Sequence, residues 1–400
     1  MNAESNKEYT GLNTAEQLKP IASRNRLLSI SVLSDEKNFE NRTPITPQGV
    51  EVFVNAGHRI IIESNAGRAS GFLDSAYIKA GAIVTQEKEE LYRSRILIKV
   101  APFRKEEIEP LNSTHTIIST MTLADGCEAS ILSLMNKKVT AICMDLLEAE
   151  DGYNPYVSMM GQIAGNLALT LATSYLAKIN GGKGIILGNV LGIPQTELII
   201  LGTNMVAKTV ANIAINMGAQ VKVYDSSLQN LDKLQSALGN VVYTSVYHHD
   251  ALRKGLLSAD LVINANSWCD SRMLINEEMV RDMKNKSVIV DLSNNLGKNI
   301  ETSELKDATD FVFEKHGVTH ICTPNICSLA PKTSSIALSN IFTQSLIEIG
   351  NAGEIENYLF NNYQYRKATY VFKGLLTNRY LSEELGLQYN DLKLLFEIFQ

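Results

Sequence analysis

Residues 197–225 carry a pattern of apolar and polar positions that predicts a strand, a turn, a helix and a second strand. A short apolar run at 198–201 suits a buried parallel strand. Apolar residues then recur at helical spacing over 206–217, and a second short apolar run follows at 221–224. Asp225 comes next. It lies roughly 20 residues after the turn, where a dinucleotide-binding unit has the carboxylate that binds the ribose hydroxyls of NAD. This order predicts the start of a dinucleotide-binding unit.

The turn after the first strand departs from the G-x-G-x-x-G fingerprint of such units. Its three glycine positions read Gly202, Asn204 and Ala207. The first glycine makes the tight turn, the second lets the backbone approach the pyrophosphate, and the third allows helix and strand to pack closely. Asn204 places a side chain where the phosphates would approach, whereas the methyl group of Ala207 adds little bulk. Two interpretations stay open: a nucleotide site, and a Rossmann-like layer that binds no cofactor.

Strand and helix patterns alternate on both sides of this stretch. Before it, strands are predicted at 28–33, 59–63, 96–100, 116–119 and 139–143, with helices at 47–55, 73–80, 105–109 and 128–136. After it, strands are predicted at 241–244, 261–264, 287–292 and 318–321, with helices at 228–238, 251–257 and 277–283. Such alternation predicts an α/β fold of two doubly wound, Rossmann-like domains.

The same patterns predict the domain organisation. The segments are a polar extension at 1–26, a first α/β domain at 27–158, a long helix and connection at 159–196, a second α/β domain at 197–330, and a helical segment at 331–400 that returns toward the first domain. Long helices thus join the two domains. The glycine-rich stretch at 181–189 lacks the spacing of a phosphate-binding loop, so we interpret it as a connecting loop.

Composition narrows the functional classes. The chain has 400 residues, of which 45% are hydrophobic, and its formal net charge is −6, with no block of basic residues of the kind that binds nucleic acid. No apolar run approaches the roughly 18 residues of a membrane span. The N-terminus lacks the apolar core of a signal peptide, and an odd total of 5 cysteines is typical of reduced thiols. We therefore expect a cytoplasmic protein with neither nucleic-acid nor membrane partners.

One cluster of histidines and cysteines raises the question of a metal site. His316, His320, Cys322 and Cys327 lie within one short stretch, 316–327. Their spacing matches no familiar zinc pattern, and the second cysteine pair of such patterns is absent. The sequence therefore predicts no metal site.

Several stretches, in order along the chain, resemble signatures of the alanine dehydrogenase and pyridine nucleotide transhydrogenase α-subunit family. They are FENRTPITPQGV at 39–50, LIKVAPF at 97–103, IAGNLALTLATSYL at 163–176, GGKGIILGNVLGIPQTELIILG at 181–202, SVIVDLSNNLG at 287–297 and HGVTHICTPNICSLAPKTSSIALSN at 316–340. The resemblance is closest to the alanine dehydrogenases. It implies a substrate domain at 27–158 and an NAD(H)-binding domain at 197–330.

The resemblance also implies a reaction, the interconversion of L-alanine with pyruvate and ammonia by hydride transfer to or from NAD. Arg42 matches the family's substrate-binding arginine, and a guanidinium can bind both oxygens of a carboxylate. Lys99 matches the family's substrate lysine. Asn325 matches an asparagine beside the nicotinamide and the substrate, and Asp225 matches the ribose acid.

Other positions depart from the family pattern. Thr122 stands where the family has its catalytic histidine, and Asn295 stands where it has its catalytic aspartate. Neither a hydroxyl nor an amide serves as a general base near neutral pH. Gly161 replaces a hydroxyl expected near the cofactor phosphates. These departures fall at both the proton-transfer and the cofactor positions.

Other groups are candidates for the missing proton transfer. They are Asp125, Asp145 and His320, and also Lys99 if desolvation lowers its pKa. For each of them a structural role is the competing interpretation.

Three functional hypotheses follow. The first is an active NAD-dependent dehydrogenase of the alanine type. The second is a catalytically silent paralogue, a pseudoenzyme that serves as a binding or partner protein. The third is a related reductase with a different keto-acid or amine substrate. By resemblance, we expect a homo-oligomer, commonly a hexamer.

Overall fold

The computed structural model describes residues 27–35, 40–121, 127–266, 272–293, 296–305, 310–323 and 325–399. Thr122, Asp125 and Asn295 lie outside the described residues, so their predicted roles stay predictions.

The first domain is an eight-stranded sheet with helices on both faces. Its parallel strands are β1 (Ser29–Val32), β2 (Arg59–Glu63), β3 (Ile83–Thr85), β4 (Ile96–Ile98), β5 (Thr116–Ser119) and β6 (Thr140–Cys143). Its helices are α1 (Pro47–Asn55), α2 (Asp74–Lys79), α3 (Lys88–Leu91), α4 (Lys105–Ile108) and α5 (Cys127–Asn136). β4, β5 and β6 are buried at every position, because a parallel sheet is covered on both faces.

A long helix, α6 (Pro155–Leu176), leads to the second domain. Strands of that domain are β7 (Glu197–Leu201), β8 (Gln220–Asp225), β9 (Tyr243–Val246), β10 (Leu261–Asn264), β11 (Val288–Asp291), β12 (Val312–Lys315) and β13 (Val318–Cys322). Its helices are α7 (Met205–Asn216), α8 (Leu228–Leu238), α9 (His249–Ser258) and α10 (Glu277–Arg281). The strand order is β12-β13-β11-β10-β7-β8-β9.

The two sheets share one topology. The first contains the order β3-β2-β1-β4-β5-β6, and the second contains β9-β8-β7-β10-β11-β13, all parallel. This is the doubly wound order, in which the first three strands are added toward one edge of the sheet and the next three toward the other, starting again beside the first strand. The prediction of two Rossmann-like domains is confirmed. Each sheet therefore has a switch point at the carboxyl ends of its central strands, where ligands of such folds bind.

The C-terminal segment returns to the first sheet. It contains α11 (Pro331–Ala352), α12 (Ile355–Asn361), α13 (Tyr363–Ala368), β14 (Thr369–Phe372), β15 (Leu375–Leu376), α14 (Arg379–Leu385) and α15 (Leu392–Phe399). β14 pairs antiparallel with β6, and β15 pairs with β14. The prediction of a helical segment over 331–400 is wrong at these two strands, because β-branched and aromatic residues favour a strand beside an available edge. None of the described helices combines the length and apolar character that a membrane span requires.

Candidate functional site

A cavity of about 700 Å³ opens at the switch point of the second sheet. Gly202, Asp225 and Ala265 lie on its wall, and each stands at the carboxyl end of one of three neighbouring strands. Its remaining lining residues come from the turn after β7, from α7 and α8, and from the chain after β8 and β10. They are Thr203, Asn204, Lys208, Ser226, Asn230, Lys233, Leu234, Ala237, Asn266 and Arg272. The cavity is where a doubly wound sheet binds a nucleotide.

The turn on the cavity wall requires glycine at one of its three positions. Gly202 has a φ of +95°, and an added Cβ would lie 2.9 Å from the carbonyl oxygen of Ala265. Ala207, at the third position, is fully buried against the sheet, so its small side chain fits the predicted close packing. The structure thus accounts for Gly202 and Ala207 as backbone and packing requirements.

Asn204, at the second position, folds its side chain into the turn. Its Oδ1 accepts a hydrogen bond from the backbone N–H of Ala207 (3.1 Å) and caps α7. Its Nδ2 donates to the carbonyl oxygen of Ala265 at 2.5 Å. One N–H group that could bind a phosphate at the helix N-terminus therefore already has a partner. The Asn204 side chain therefore lies where a glycine would leave the backbone accessible to the pyrophosphate.

Asp225 occupies the predicted position of the ribose acid. Its Oδ2 accepts from the hydroxyl of Thr203 (2.7 Å), and its Oδ1 accepts from the backbone N–H of Ser227 (2.8 Å). Both oxygens keep lone pairs for further donors, because a carboxylate can accept about four hydrogen bonds. The residues present therefore fit the ribose of NAD. At the phosphates, the glycine turn is altered by Asn204, while Lys208, Lys233 and Arg272 bring positive charge to the cavity.

In the first domain, Arg42 follows β1 and forms a two-pronged ion pair. Its Nε lies 2.7 Å from Oε1 of Glu40, and its Nη2 lies 2.6 Å from Oε2. Burial alone would raise the pKa of Glu40, but the charge and hydrogen bonds of Arg42 outweigh burial and lower that pKa. The remaining nitrogen, Nη1, contacts Sδ of Met160 at 3.5 Å. Arg42 is thus a buried cation whose Nη1 meets only a weak acceptor among the described residues.

Glu40 also connects the two domains. It accepts hydrogen bonds from Nδ2 of Asn325 (3.1 Å) and from the hydroxyl of Ser328 (3.3 Å), both of which follow β13. The backbone N–H of Asn41 donates to the same hydroxyl at 2.7 Å. The structure therefore brings two predicted site residues, Arg42 and Asn325, together through Glu40. Sequence reasoning missed Glu40, although an acid two positions before a buried arginine is a signal for this pair.

Lys99 directly follows β4 in the core of the first domain. Its side chain is completely buried, with Nζ 2.6 Å from Oδ1 of Asp35 and 3.0 Å from Oε2 of Glu107. Burial would raise the pKa of Glu107, but hydrogen bonds from Arg104 and the charge of Lys99 lower it. The ammonium is therefore neutralised inside the first domain. Two carboxylates thus hold the Lys99 ammonium, and its predicted contacts with the substrate and with a proton stay predictions.

Asp145 lies two residues after β6 and is a titratable group close to Arg42 and Tyr156. Its Oδ2 accepts from the backbone N–H of Met121 (3.3 Å), the residue that precedes Thr122. Burial raises the pKa of Asp145 to about 6, against the opposing effects of the Met121 N–H group, Arg42 and Tyr156. A carboxyl group with that pKa can take and return protons near neutral pH.

His320 is a structural residue. Its Nε2 lies 2.8 Å from the hydroxyl of Thr302, its Nδ1 lies 3.0 Å from the carbonyl oxygen of Val318, and the ring stacks on Phe313. Burial lowers its pKa to about 4, so the imidazole is neutral. Among the described residues, no group of three or more histidines, cysteines and acids is placed to bind a metal ion.

Gly161 lies on α6 and faces the first turn of α7. A Cβ there would come within 2.7 Å of Cβ of Met205, so glycine allows the two helices to approach. Gly161 is not among the residues that line the nucleotide cavity. Its geometry is that of a packing contact, and the predicted contact with cofactor phosphates stays a prediction.

Comparison with known proteins gives a consistent result. Residues 31–164 match the family model "Alanine dehydrogenase/PNT, N-terminal domain", and residues 168–379 match "Alanine dehydrogenase/PNT, C-terminal domain". The alanine dehydrogenase of Methanococcus maripaludis is 35% identical over 328 residues, which is 81% of this chain and 88% of the relative. Alanine dehydrogenase 2 of Staphylococcus aureus is 30% identical over 375 residues, 92% of this chain and 99% of the relative.

Solved structures agree. An L-alanine dehydrogenase superposes with a TM-score of 0.78 at 27% identity, over 89% of this chain and 99% of that one. A transhydrogenase from Sinorhizobium meliloti shares the fold, with a TM-score of 0.68 at 18% identity over 88% and 99% of the two chains. The chain therefore belongs to the alanine dehydrogenase/PNT family.

Proposed function

We propose that the chain is an NAD-dependent oxidoreductase that interconverts L-alanine with pyruvate and ammonia. The observation that carries this proposal is the cavity at the carboxyl ends of β7, β8 and β10, with Asp225 on its wall. An acid at the end of the second strand of a doubly wound sheet suits the ribose hydroxyls of NAD. Relatives named alanine dehydrogenase, at 30% and 35% identity over most of the chain, support the choice of substrate.

The chemistry of hydride transfer belongs to the cofactor, which accepts or delivers the hydride when bound. The task of the protein is to bind the carboxylate of the substrate and to move protons. Nη1 of Arg42 is the nitrogen that a substrate carboxylate would reach, since Nε and Nη2 are bonded to Glu40. Asn325 belongs to the second domain, and its Nδ2 lies 3.1 Å from Oε2 of the same glutamate. Its amide is the group of that domain that would contact the substrate.

Asp145 is our candidate for the proton-transfer group. As a carboxylate, it would take a proton from water while the water oxygen bonds to the carbon of the substrate iminium, whose nitrogen becomes a neutral amine. It would then pass that proton to the nitrogen, so that the C–N bond breaks and ammonia leaves. The proton of the remaining hydroxyl returns to the carboxylate as the ketone forms, and passes to ammonia. A pKa of about 6 suits a group that must both accept and return a proton.

The test is a titration of NADH fluorescence followed by a turnover assay with pyruvate and ammonium. Saturable NADH binding and turnover that is lost in Asp145→Asn would support the proposal. Absence of NADH binding would overturn it. Binding without turnover, for alanine and for a panel of keto acids and amines, would instead favour the silent paralogue. Turnover only with another keto acid or amine would favour the related reductase.

We also propose that the chain forms a homo-oligomer. The connection between the two domains exposes several large apolar side chains, with Leu191 100%, Ile186 64% and Ile193 60% exposed. Large apolar side chains that are exposed together in one short segment favour an interaction site. A second copy of the chain is the partner that the family resemblance favours.

A further inference from the structure

Positive charge converges on the nucleotide cavity from three separate elements. Lys208 belongs to α7, Lys233 belongs to α8, and Arg272 lies in the chain after β10. Asp225 is the only acid on the same wall among the residues that line the cavity. Neither Lys208 nor Lys233 forms an ion pair among the residues that the structure describes. The cavity therefore has a net positive lining that favours an anion carrying more than one negative charge.

The direction of the lysine side chains is set by their helices. In an α-helix each Cα–Cβ bond tilts toward the N-terminus, so long side chains extend back over the preceding turn. Lys208 lies in the first turn of α7, four residues after the N-cap Asn204, so its side chain extends back toward the altered turn, and both residues line the cavity. Lys233 shares one face of α8 with Asn230, Leu234 and Ala237, all of which line the cavity.

The altered turn explains why side-chain cations are needed there. In an intact fingerprint, backbone N–H groups of the turn and of the helix N-terminus bind the pyrophosphate. Here the side chain of Asn204 accepts a hydrogen bond from the N–H of Ala207 and donates one to the carbonyl oxygen of Ala265, so it fills the turn. The turn is left with fewer donors for an anion.

We propose that Lys208 and Lys233, together with Arg272, bind the diphosphate of the dinucleotide through their side-chain charges, in the role that backbone N–H groups of the glycine turn otherwise fill. This inference rests on the proposed function, because it assigns residues to the phosphates of the same cofactor. The ligand class is an adenosine diphosphate group that carries a ribose, and Asp225 binds the ribose hydroxyls beside these cations.

The experiment uses ADP-ribose, which has the diphosphate but no reacting nicotinamide, and measures its binding to the full chain by calorimetry at low and at raised ionic strength. Lys208→Gln and Lys233→Gln should each weaken binding about tenfold, since a hydrogen bond to a charged group contributes about that factor. Each should also make the salt dependence of binding shallower. Lys208→Glu should weaken binding further, because it replaces attraction with repulsion.

Lys254→Gln is the matched control, since Lys254 is an exposed lysine of α9 in the same domain and does not line the cavity. It should bind ADP-ribose as the unaltered chain does. Adenosine, which has no phosphate, should bind all variants equally. If the unaltered chain binds ADP-ribose and both lysine variants bind it equally well, the inference is wrong and the proposed cofactor site stands. If the unaltered chain binds neither ADP-ribose nor NADH, the proposed function fails as well.

Discussion

The guanidinium of Arg42 binds both oxygens of Glu40, with Nε 2.7 Å from Oε1 and Nη2 2.6 Å from Oε2. Glu40 in turn accepts hydrogen bonds from Asn325 and Ser328 of the second domain. The pair thus has two consequences. It holds Arg42 with Nη1 outside the ion pair, and it attaches the segment after β1 to the segment after β13.

Glu40→Gln should destabilise the chain, because it leaves the buried charge of Arg42 without its counter-ion. Removing one partner of a buried ion pair costs about 3–5 kcal/mol of the free energy of unfolding. Urea denaturation would measure the loss. The control is Glu278→Gln, which removes a partner of Arg253 on the exposed surface and should change stability little. Equal effects of the two substitutions would contradict the importance given to the Arg42–Glu40 pair.

Lys99→Met should also destabilise the chain. The substitution leaves Asp35 and Glu107 without the ammonium that lies 2.6 Å and 3.0 Å from them. We expect a loss of about 3–5 kcal/mol in the free energy of unfolding, measured by urea denaturation without any ligand. Lys105→Met, at an exposed position of α4, is the control. A Lys99→Met chain of normal stability with a raised KM would contradict this expectation and support the substrate role predicted from the sequence.

Asp145→Asn should abolish proton transfer while it stabilises the fold at neutral pH. Loss of a general acid or base lowers the rate by about 10²–10⁴-fold. In the unaltered chain, kcat/KM should rise with pH through about 6, because the carboxylate form accepts the proton. The groups that face Asp145 among the described residues are Arg42, Tyr156 and Cys143. Burial raises the pKa values of Tyr156 and Cys143, so neither changes its charge over that range.

The effect of Asp145 on stability has a definite sign. Its pKa is raised from 3.8 to about 6 in the fold, so the folded chain binds more protons than the unfolded chain between these values. The contribution of Asp145 to the free energy of unfolding therefore falls as the pH rises from about 4 to about 6. Asp145→Asn removes the cost of burying an ionised carboxylate. It should raise the free energy of unfolding at pH 7 by about 1–3 kcal/mol, with little change near pH 4. A variant less stable than the unaltered chain at pH 7 would contradict this account.

The sequence predicted best those features that depend on local order along the chain. Asp225 and Gly202 could be placed because a strand end fixes both the turn and the acid beside it. The partners of Lys99 could not be predicted, because Asp35 and Glu107 reach it only through the pairing of β4 with β1 and the packing of α4. β14 was missed for the same reason, since its strand conformation depends on the edge of β6. Charges that converge from α7 and α8 likewise have no signature in any one segment.

Asn204→Gly should restore the backbone of the intact fingerprint. The substitution removes the bonds of the Asn204 side chain to Ala207 and Ala265. Replacing an asparagine N-cap by glycine costs only a few tenths of a kcal/mol, so the fold should persist. ADP-ribose should bind more tightly and with a weaker dependence on Lys208, as measured by calorimetry on the single and double variants. Weaker binding would show that the amide itself contacts the ligand.

Leu191→Ser combined with Ile193→Ser should shift the chain from oligomer to monomer. Both side chains project from the connection between the domains, where Leu191 is 100% and Ile193 60% exposed. Val190 and Ile193 form an isolated antiparallel bridge, so this segment makes a turn around Leu191. Its burial against a second copy would contribute about 1.5–3 kcal/mol for each large side chain. Light scattering after size-exclusion chromatography would measure the mass, with Leu228→Ser, an exposed leucine of α8, as the control. An unaltered chain that is already monomeric at micromolar concentration would contradict the proposed self-association, because these side chains would then remain in water.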